Sequence, residues 1–194
     1  GLHGVGASVV NALSIKLCVE VYKEGQVYFQ SYHIGKPDEP VKVIGTCDSE
    51  KHGTKVTFHP DPEIFEETVY DYDTLKQRLR ETAFLTKGLR IVLTDTREES
   101  HHCHEFHYAG GIKEFVTYLN RSKEALYPDV IYCEGTRDGV YVEVAMQHND
   151  SYNDATYSFV NNIITPEGGT HLAGFRNALT KTFNTYARAN KILK

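Results

Sequence analysis

The order of apolar and polar positions predicts a run of strands in the first part of the chain. From Ile15 the two kinds of residue alternate, and Glu24-Gly25 is typical of a tight turn, so a β-hairpin is expected here. The strands after this turn are predicted at residues 27–34, 41–46 and 54–59. A short helix that is opened by glycines precedes the hairpin at residues 7–13, and the prolines at positions 60 and 62 end the sheet.

The second part of the chain alternates helices with strands. Helices are predicted where apolar residues recur three and four positions apart, at residues 71–85, 110–120 and 170–189. Asp71 or Asp73 is placed to cap the first of these helices, and Thr170 the last. Strands are predicted at residues 89–94, 130–133, 140–147 and 156–160, and a polar loop at residues 97–105. This order indicates an α+β fold in two units, with a seam near residues 107–111.

Composition and charge exclude several classes of protein. Of the 194 residues, 40% are hydrophobic and 24% are charged, so the chain can bury a core and is not intrinsically disordered. No apolar stretch approaches the roughly 18–20 residues of a membrane-spanning helix, and we expect no membrane partner. The net charge of −5 argues against a protein that coats DNA with its whole surface, but not against a local basic face.

The cysteines and the first residues bear on where the protein works. The 4 cysteines lie far apart and no secretory signal precedes them, so we expect reduced thiols and a cytoplasmic protein. Because the chain begins at Gly1 rather than at Met, we expect an excerpt of a longer protein.

The first eight residues, Gly-Leu-His-Gly-Val-Gly-Ala-Ser, are the most informative stretch. Three glycines precede a helix start, so backbone N–H groups there could approach a phosphate closely. A mobile glycine loop before a helix explains the glycine spacing equally well. No Gly-Lys-Ser/Thr follows, which excludes a Walker A loop.

Taken whole, the octet resembles the ATP lid of the GHKL ATPase superfamily, in the form of type IIA DNA topoisomerases and most closely of the bacterial DNA gyrase B family. Other segments that resemble this family lie at residues 52–56 (the Gly-Thr motif), 106–113 (the domain junction), 143–147 and 161–171. The resemblance implies the C-terminal part of a Bergerat ATPase α/β sandwich at residues 1–107. It implies part of a ribosomal-protein-S5-like transducer domain at residues 108–194.

The resemblance also implies which residues bind ATP and inhibitors. The backbone amides that would contact the ATP phosphates are those of Leu2, His3, Gly4, Val5 and Gly6. Thr54 would join a hydrogen-bonded network at the adenine edge, and Val56 would line the adenine pocket. From the residues alone, Thr54 also fits a β-branched residue after a turn. Lys23 stands where the family usually has an Arg that touches coumarin inhibitors, and Lys lacks the bidentate guanidinium.

ATP and Mg²⁺ are the implied cofactors, but the groups that act on them are expected outside the chain. The family's catalytic Glu, Mg-binding Asn and adenine-binding Asp would precede Gly1, and its γ-phosphate Lys would follow Lys194. We therefore expect no catalytic residue and no metal ligand within the chain, and no ATP hydrolysis by the chain alone.

Two further clusters of side chains have chemistry of their own. Four histidines and Cys103 lie within residues 101–107 and look like metal ligands, but solvated histidines in a polar loop are the better interpretation. Lys181 and Arg188 are seven residues apart and share a helix face opposite the apolar stripe, in a segment without acidic residues. That face is either a solvated surface or a contact for DNA phosphates.

The function implied by the resemblance is ATP-driven strand passage. ATP binding would dimerise two ATPase regions around DNA, and hydrolysis would be coupled to negative supercoiling together with the gyrase A protein. The alternative within the family is the corresponding topoisomerase IV protein, and the alternative of another class is a non-catalytic binding module. A chaperone or MutL-like ATPase is disfavoured by the Leu-His pair inside the lid.

Overall fold

The computed structural model describes residues 4–97 and 101–193 and has the predicted mixture of helices and strands. The helices are α1 (Gly6–Ala12), α2 (Tyr72–Leu85), α3 (Ile112–Leu119) and α4 (Thr170–Ala189). The strands are β1 (Ser14–Lys23), β2 (Gln26–His33), β3 (Lys36–Pro37), β4 (Lys42–Thr46), β5 (Gly53–Pro60), β6 (Arg90–Thr94), β7 (Cys103–His107), β8 (Ile131–Arg137), β9 (Val140–Met146), β10 (Phe159–Val160) and β11 (Ile163–Ile164). Among the described helices, none has the length and apolar character needed to cross a membrane.

The chain divides into two compact units, Gly1–Tyr70 and Asp71–Lys194. The boundary expected between residues 107 and 108 lies inside the second unit. The division into ATPase and transducer domains at that point stays a prediction.

An antiparallel five-stranded sheet forms most of the first unit. Its order is β3–β2–β1–β5, and β4 also pairs with β2. Glu24 and Gly25 connect β1 to β2 with φ angles of 52° and 74°, as in a type I′ turn, so the predicted hairpin is confirmed. Leu17 on β1 lies opposite Tyr32 on one side and Phe58 on the other and is 5% exposed, which places part of the core on this strand.

An aromatic cluster on α2, β7 and α3 forms the core of the second unit. Phe84 on α2 is 1% exposed, and its ring stacks on that of Tyr108 at a centroid distance of 3.6 Å. The ring of Phe115 on α3 lies 4.9 Å from that of Phe84, and Phe106 on β7 is also buried. Burial of these large rings fixes α2 against α3.

The two predicted helix caps have different outcomes. Asp71 is the N-cap of α2 and accepts a hydrogen bond of 2.7 Å from the backbone N–H of Thr74, which confirms one of the two candidates. This bonding from Thr74 holds the pKa of Asp71 below its usual value. The prediction of Thr170 as a cap is wrong, because Gly169 takes the N-cap position of α4 at a φ of 147°. A side chain is strained at that angle, so Thr170 instead becomes the first helical residue.

The polar loop predicted at residues 97–105 is wrong in its last part, because β7 begins at Cys103. β7 pairs with β6 in antiparallel register, with Cys103 opposite Thr94. Only His104 and Phe106 of β7 point inward, and their exposed neighbours are mostly polar. This composition conceals a two-residue alternation that is present in the sequence.

A two-residue hairpin replaces most of the strand predicted at residues 156–160. Of the residues predicted as a strand, only Phe159 and Val160 (β10) pair with another strand. Their partner β11 is two residues long, so the ladder contains two pairs. Asn161 and Asn162 connect them at φ angles of 49° and 64°, again as in a type I′ turn. The pair of asparagines is a sequence signal for this turn, and the strand prediction did not use it.

Candidate functional site

The residues predicted to contact adenine lie side by side on the sheet of the first unit. In the register of β1 and β5, Thr54 is opposite Val21 and Val56 is opposite Val19. Opposite residues share a face, and so do residues two apart along a strand. Lys23 lies two residues beyond Val21 and therefore belongs to the same face. The structure thus brings three predicted contact positions onto one surface.

This surface, which we call the open face, is mixed in character and half-exposed in its middle part. At one end the ring of Phe58 packs edge-on against that of Tyr70, at a centroid distance of 6.4 Å. The open face comprises Val19, Val21 and Lys23 on β1, Gln26, Tyr28 and Gln30 on β2, Val43 on β4, and Thr54, Val56 and Phe58 on β5. Val56 is 52% exposed, Val43 51% and Phe58 40%. Apolar side chains on a strand face are normally buried against another layer or a ligand. The open face therefore suits an aromatic group.

The opposite face of the same two strands is polar, and its groups satisfy one another. Lys55 Nζ donates a hydrogen bond of 2.9 Å to Glu20, and the hydroxyl of Tyr22 donates one of 2.8 Å to the same carboxylate. These two donors hold the pKa of Glu20 below its usual value, and Glu20 raises the pKa of Lys55. The side chains of these two strands that remain available to bind a ligand are therefore those on the open face.

The glycine-rich segment leads into α1, whose first turn has free N–H groups. The carbonyl of Val5, the N-cap residue, accepts the hydrogen bond of Val9 at 2.9 Å, so the N–H groups of residues 6–8 have no partner within the helix. No described side chain caps this end, and the first turn contains no acidic residue. Gly4 has a φ of 83°, which glycine adopts without strain. The predicted contacts of residues 2 and 3 lie outside the described residues.

The other end of α1 is anchored where β1 begins. The carbonyl of Ser14 accepts a hydrogen bond of 3.1 Å from the N–H of Ile34. Gly35 approaches Ala12 so closely that a Cβ on Gly35 would lie 3.3 Å from the Cα of Ala12. Thr54, by contrast, pairs with β1 near its opposite end. The structure connects the lid to the open face through β1, and the contact of both with one ATP molecule stays a prediction.

The two cations predicted to contact DNA are both exposed on α4. Within the described chain, no carboxylate pairs with Lys181 or Arg188. The opposite side of α4 carries Leu172, Phe175 and Leu179, which are partly buried. Arg188 also lies in the last turn, where the helix dipole favours a cation. This geometry fits both a solvated face and a phosphate contact.

The histidine-rich stretch is partly packed into the second unit. The hydroxyl of Tyr72 lies 2.8 Å from His104 Nδ1, and the ring of Tyr72 is 5.4 Å from that of His102. Burial of His104, with the positive charges of Lys76 and Arg80 nearby, lowers its pKa. The prediction of solvated histidines is therefore wrong for His104. In the described ranges, no group of three or more His, Cys, Asp or Glu side chains could hold a metal ion.

Comparisons with known proteins identify the family. The model of the DNA gyrase B family matches residues 111–194. DNA gyrase B proteins from Clostridium acetobutylicum, Halalkalibacterium halodurans and Bacillus cereus are 58%, 56% and 53% identical to the whole chain. The chain belongs to the DNA gyrase B family.

Solved structures locate the chain within the ATPase region of gyrase B. The 43K ATPase domain of Thermus thermophilus gyrase B, in complex with an aminocoumarin, matches 99% of the chain with a TM-score of 0.82 and 38% identity. The B-subunit of the Myxococcus xanthus gyrase matches 90% of it with a TM-score of 0.81 and 25% identity. The chain covers 52% and 51% of these two structures. The predicted fold class and family are thereby confirmed.

The chain spans only part of its gyrase B relatives. It covers 30% of the C. acetobutylicum and H. halodurans proteins and 48% of the B. cereus protein. Because all of these relatives are gyrase B proteins, topoisomerase IV and an unrelated binding module are not favoured.

Sequence reasoning missed two sets of residues. Val43 and Phe58 extend the open face. The alternation along β5 was the signal that could have included Phe58, whereas Val43 is placed there only by its pairing with Tyr28. The ammonium group of Lys87 lies 3.1 Å from the carboxylate of Glu143. No sequence signal pointed to the ion pair of Lys87 with Glu143, because only the packing of the chain brings these two residues together.

Proposed function

We propose that the full-length protein carrying this chain is an ATP-hydrolysing type IIA DNA topoisomerase, a gyrase B protein that couples ATP to negative supercoiling. The observation that carries the proposal is the open face, where Thr54, Val56 and Lys23 share one surface and Val56 is 52% exposed. Adenine would pack on Val56, and Thr54 would take part in hydrogen bonding at the adenine edge.

The lid would hold the phosphates. Unpaired N–H groups at a helix start favour an anion, and glycine permits its close approach. In this proposal the backbone amides of Leu2, His3, Gly4, Val5 and Gly6 donate to the ATP phosphates. The free first turn of α1 supports this role.

Lys23 would contact an aminocoumarin inhibitor at the rim of the open face. Its side chain is 66% exposed and lies 3.3 Å from the carboxylate of Glu24, which competes for its charge. A Lys offers one point charge where an Arg would offer a planar fork, so this contact would be weaker than that of an Arg.

The reaction itself would depend on residues outside the chain. Hydrolysis requires a group that activates water, ligands for Mg²⁺ and a cation at the γ-phosphate. In this proposal the Mg²⁺ ligands, like the group that activates water, belong to other parts of the full-length protein. Within this region we assign binding of ATP and no catalytic residue.

The partners in this proposal are those of a gyrase. Two ATPase regions would dimerise on binding ATP, the gyrase A protein would cleave the DNA, and Lys181 and Arg188 would touch DNA phosphates. The protein would act in the cytoplasm, in keeping with the free thiols of its cysteines.

The adenine site can be tested with two valines of nearly equal exposure. Val56 on the open face is 52% exposed, and Val92 on β6 is 53% exposed. In full-length gyrase B carrying this sequence, Val56→Gln should raise KM for ATP about tenfold, because a polar side chain would replace the apolar contact with adenine. Val92→Gln should leave KM unchanged. Equal KM values for the two variants would refute the adenine site.

A further inference from the structure

The β8–β9 hairpin places two carboxylates directly opposite each other. Glu134 on β8 faces Glu143 on β9 in the antiparallel register. Two like charges in this position destabilise a strand pair. The hydroxyl of Tyr132 lies 2.6 Å from both carboxylates, and the hydroxyl of Tyr141 lies 2.6 Å from Glu134. Short contacts of this kind require protons or a cation between the acceptors.

The two phenol protons do not neutralise the pair. With Tyr141 donating to Glu134 and Tyr132 to Glu143, each carboxylate has one phenol donor, but a neutral phenol offsets none of the negative charge. The two carboxylates raise the pKa of Tyr132 well above its usual value, which keeps its proton in place. A positive charge beside Glu143 would offset the repulsion between the two carboxylates.

Lys87 supplies that charge from the turn after α2. Its Nζ lies 3.1 Å from Glu143 and 5.4 Å from the ring centroid of Tyr132. Glu143 in turn raises the pKa of Lys87. The side chain of Lys87 crosses Gly111, where a Cβ would lie only 2.4 Å from the Cε of Lys87. With its φ of 61°, Gly111 leaves the space through which Lys87 reaches the hairpin.

Lys87 joins the turn after α2, which is fixed by the aromatic core, to the β8–β9 hairpin, which is more exposed. The turn that carries it follows Phe84, whose ring is locked between aromatic side chains. The hairpin has an exposed outer face, with Val140 62% and Val142 54% exposed. A rigid turn thus meets a more exposed hairpin at Glu143. The contact also links residues 1–107 to residues 108–194, the two predicted domains.

We propose that Lys87 is a positioning residue: its ion pair with Glu143 ties the turn after α2 to the β8–β9 hairpin and transmits nucleotide-dependent movement to the transducer. This inference rests on the proposed function. Breaking the pair would leave two opposed carboxylates without a cation and would weaken the link between the turn and the hairpin, while the open face stayed intact.

The test compares three variants of full-length gyrase B carrying this sequence. Lys87→Met removes the charge, and Lys87→Arg retains it. Lys113→Met is the control, because the Nζ of Lys113 also lies near the Tyr132 ring, at 5.7 Å, without an ion pair to Glu143. The measurements are KM for ATP and kcat for ATP hydrolysis with and without DNA.

Lys87→Met should lower the DNA-stimulated kcat about twofold to fivefold, the range expected for one half-exposed ion pair, with KM and basal kcat unchanged. Lys87→Arg and Lys113→Met should behave as the unsubstituted protein. Equal losses of basal and stimulated turnover would show a merely structural role and overturn the inference, as would no loss at all. If the unsubstituted protein failed to hydrolyse ATP, the proposed function itself would fall.

A second measurement tests the path of the side chain over Gly111. Gly111→Ala should lower the thermal midpoint less in a Lys87→Ala background than alone, since the truncated side chain no longer occupies the space of the new Cβ. The strain at φ 61° is the same in both backgrounds and cancels. Additive losses would show that Lys87 does not cross Gly111.

Discussion

Gly4 and Gly6 have different reasons to be glycine. Gly4 has a φ of 83°, and a Cβ there would be strained although nothing lies within 4 Å of it. Gly6 is the first residue of α1 and has no positive φ. The sequence could predict a glycine-rich lid. Only the backbone angles show that Gly4 is required by its conformation, whereas Gly6 could be required only by the space that a phosphate needs.

This difference predicts unequal effects of two alanine substitutions in full-length gyrase B carrying this sequence. Gly4→Ala should raise KM for ATP about fivefold or more, because a left-handed alanine is disfavoured. Gly6→Ala should have a smaller effect, limited to the approach of the phosphates. Steady-state ATPase kinetics measures both. Wild-type KM in the Gly4 variant would contradict the phosphate-binding role of the lid.

At the scale of elements, the spacing of apolar residues predicted a strand or helix correctly where that element has one strongly apolar face. The hairpin around Gly25, α2 and α3 follow this rule. β7 did not, since its inward positions are only His104 and Phe106, and neighbouring β6 is needed to reveal their alternation. The prediction of Thr170 as the cap of α4 failed for a related reason. Gly169, the preceding residue, adopts a φ angle that strains other residues, and it takes the N-cap position in spite of the preference for Thr.

The basic face of α4 supports a prediction about DNA. In full-length gyrase B carrying this sequence, Lys181→Glu with Arg188→Glu should reduce DNA-stimulated ATP turnover more than basal turnover. Two lost phosphate contacts should also make the salt dependence of DNA binding shallower, by about 0.9 in logarithmic slope per contact. Lys36→Glu with Lys113→Glu changes the net charge equally at exposed cations outside α4 and is the control. Equal salt slopes for the two double variants would assign Lys181 and Arg188 to a solvated surface.

For the whole molecule, short motifs were more informative than periodicity. The lid octet and the His52–Val56 segment indicated the family, and the structure then showed that Thr54, Val56 and Lys23 share the open face. The two compact units could not be anticipated in the same way. The aromatic core around Phe84 joins segments on both sides of the expected boundary at residue 107, and such packing is not encoded in any local pattern.

The chain by itself should not hydrolyse ATP. N–H donors at the start of α1 and the open face can bind a nucleotide, but neither can activate water. The Mg²⁺ ligands and the group that activates water are expected in the other parts of the gyrase B relatives, which are about two to three times as long as the chain. Phosphate release with Mg-ATP should be measured for the 194-residue chain and for full-length gyrase B carrying it. Turnover by the chain within about tenfold of the full-length protein would place the catalytic residues inside it and overturn the assignment of binding without catalysis.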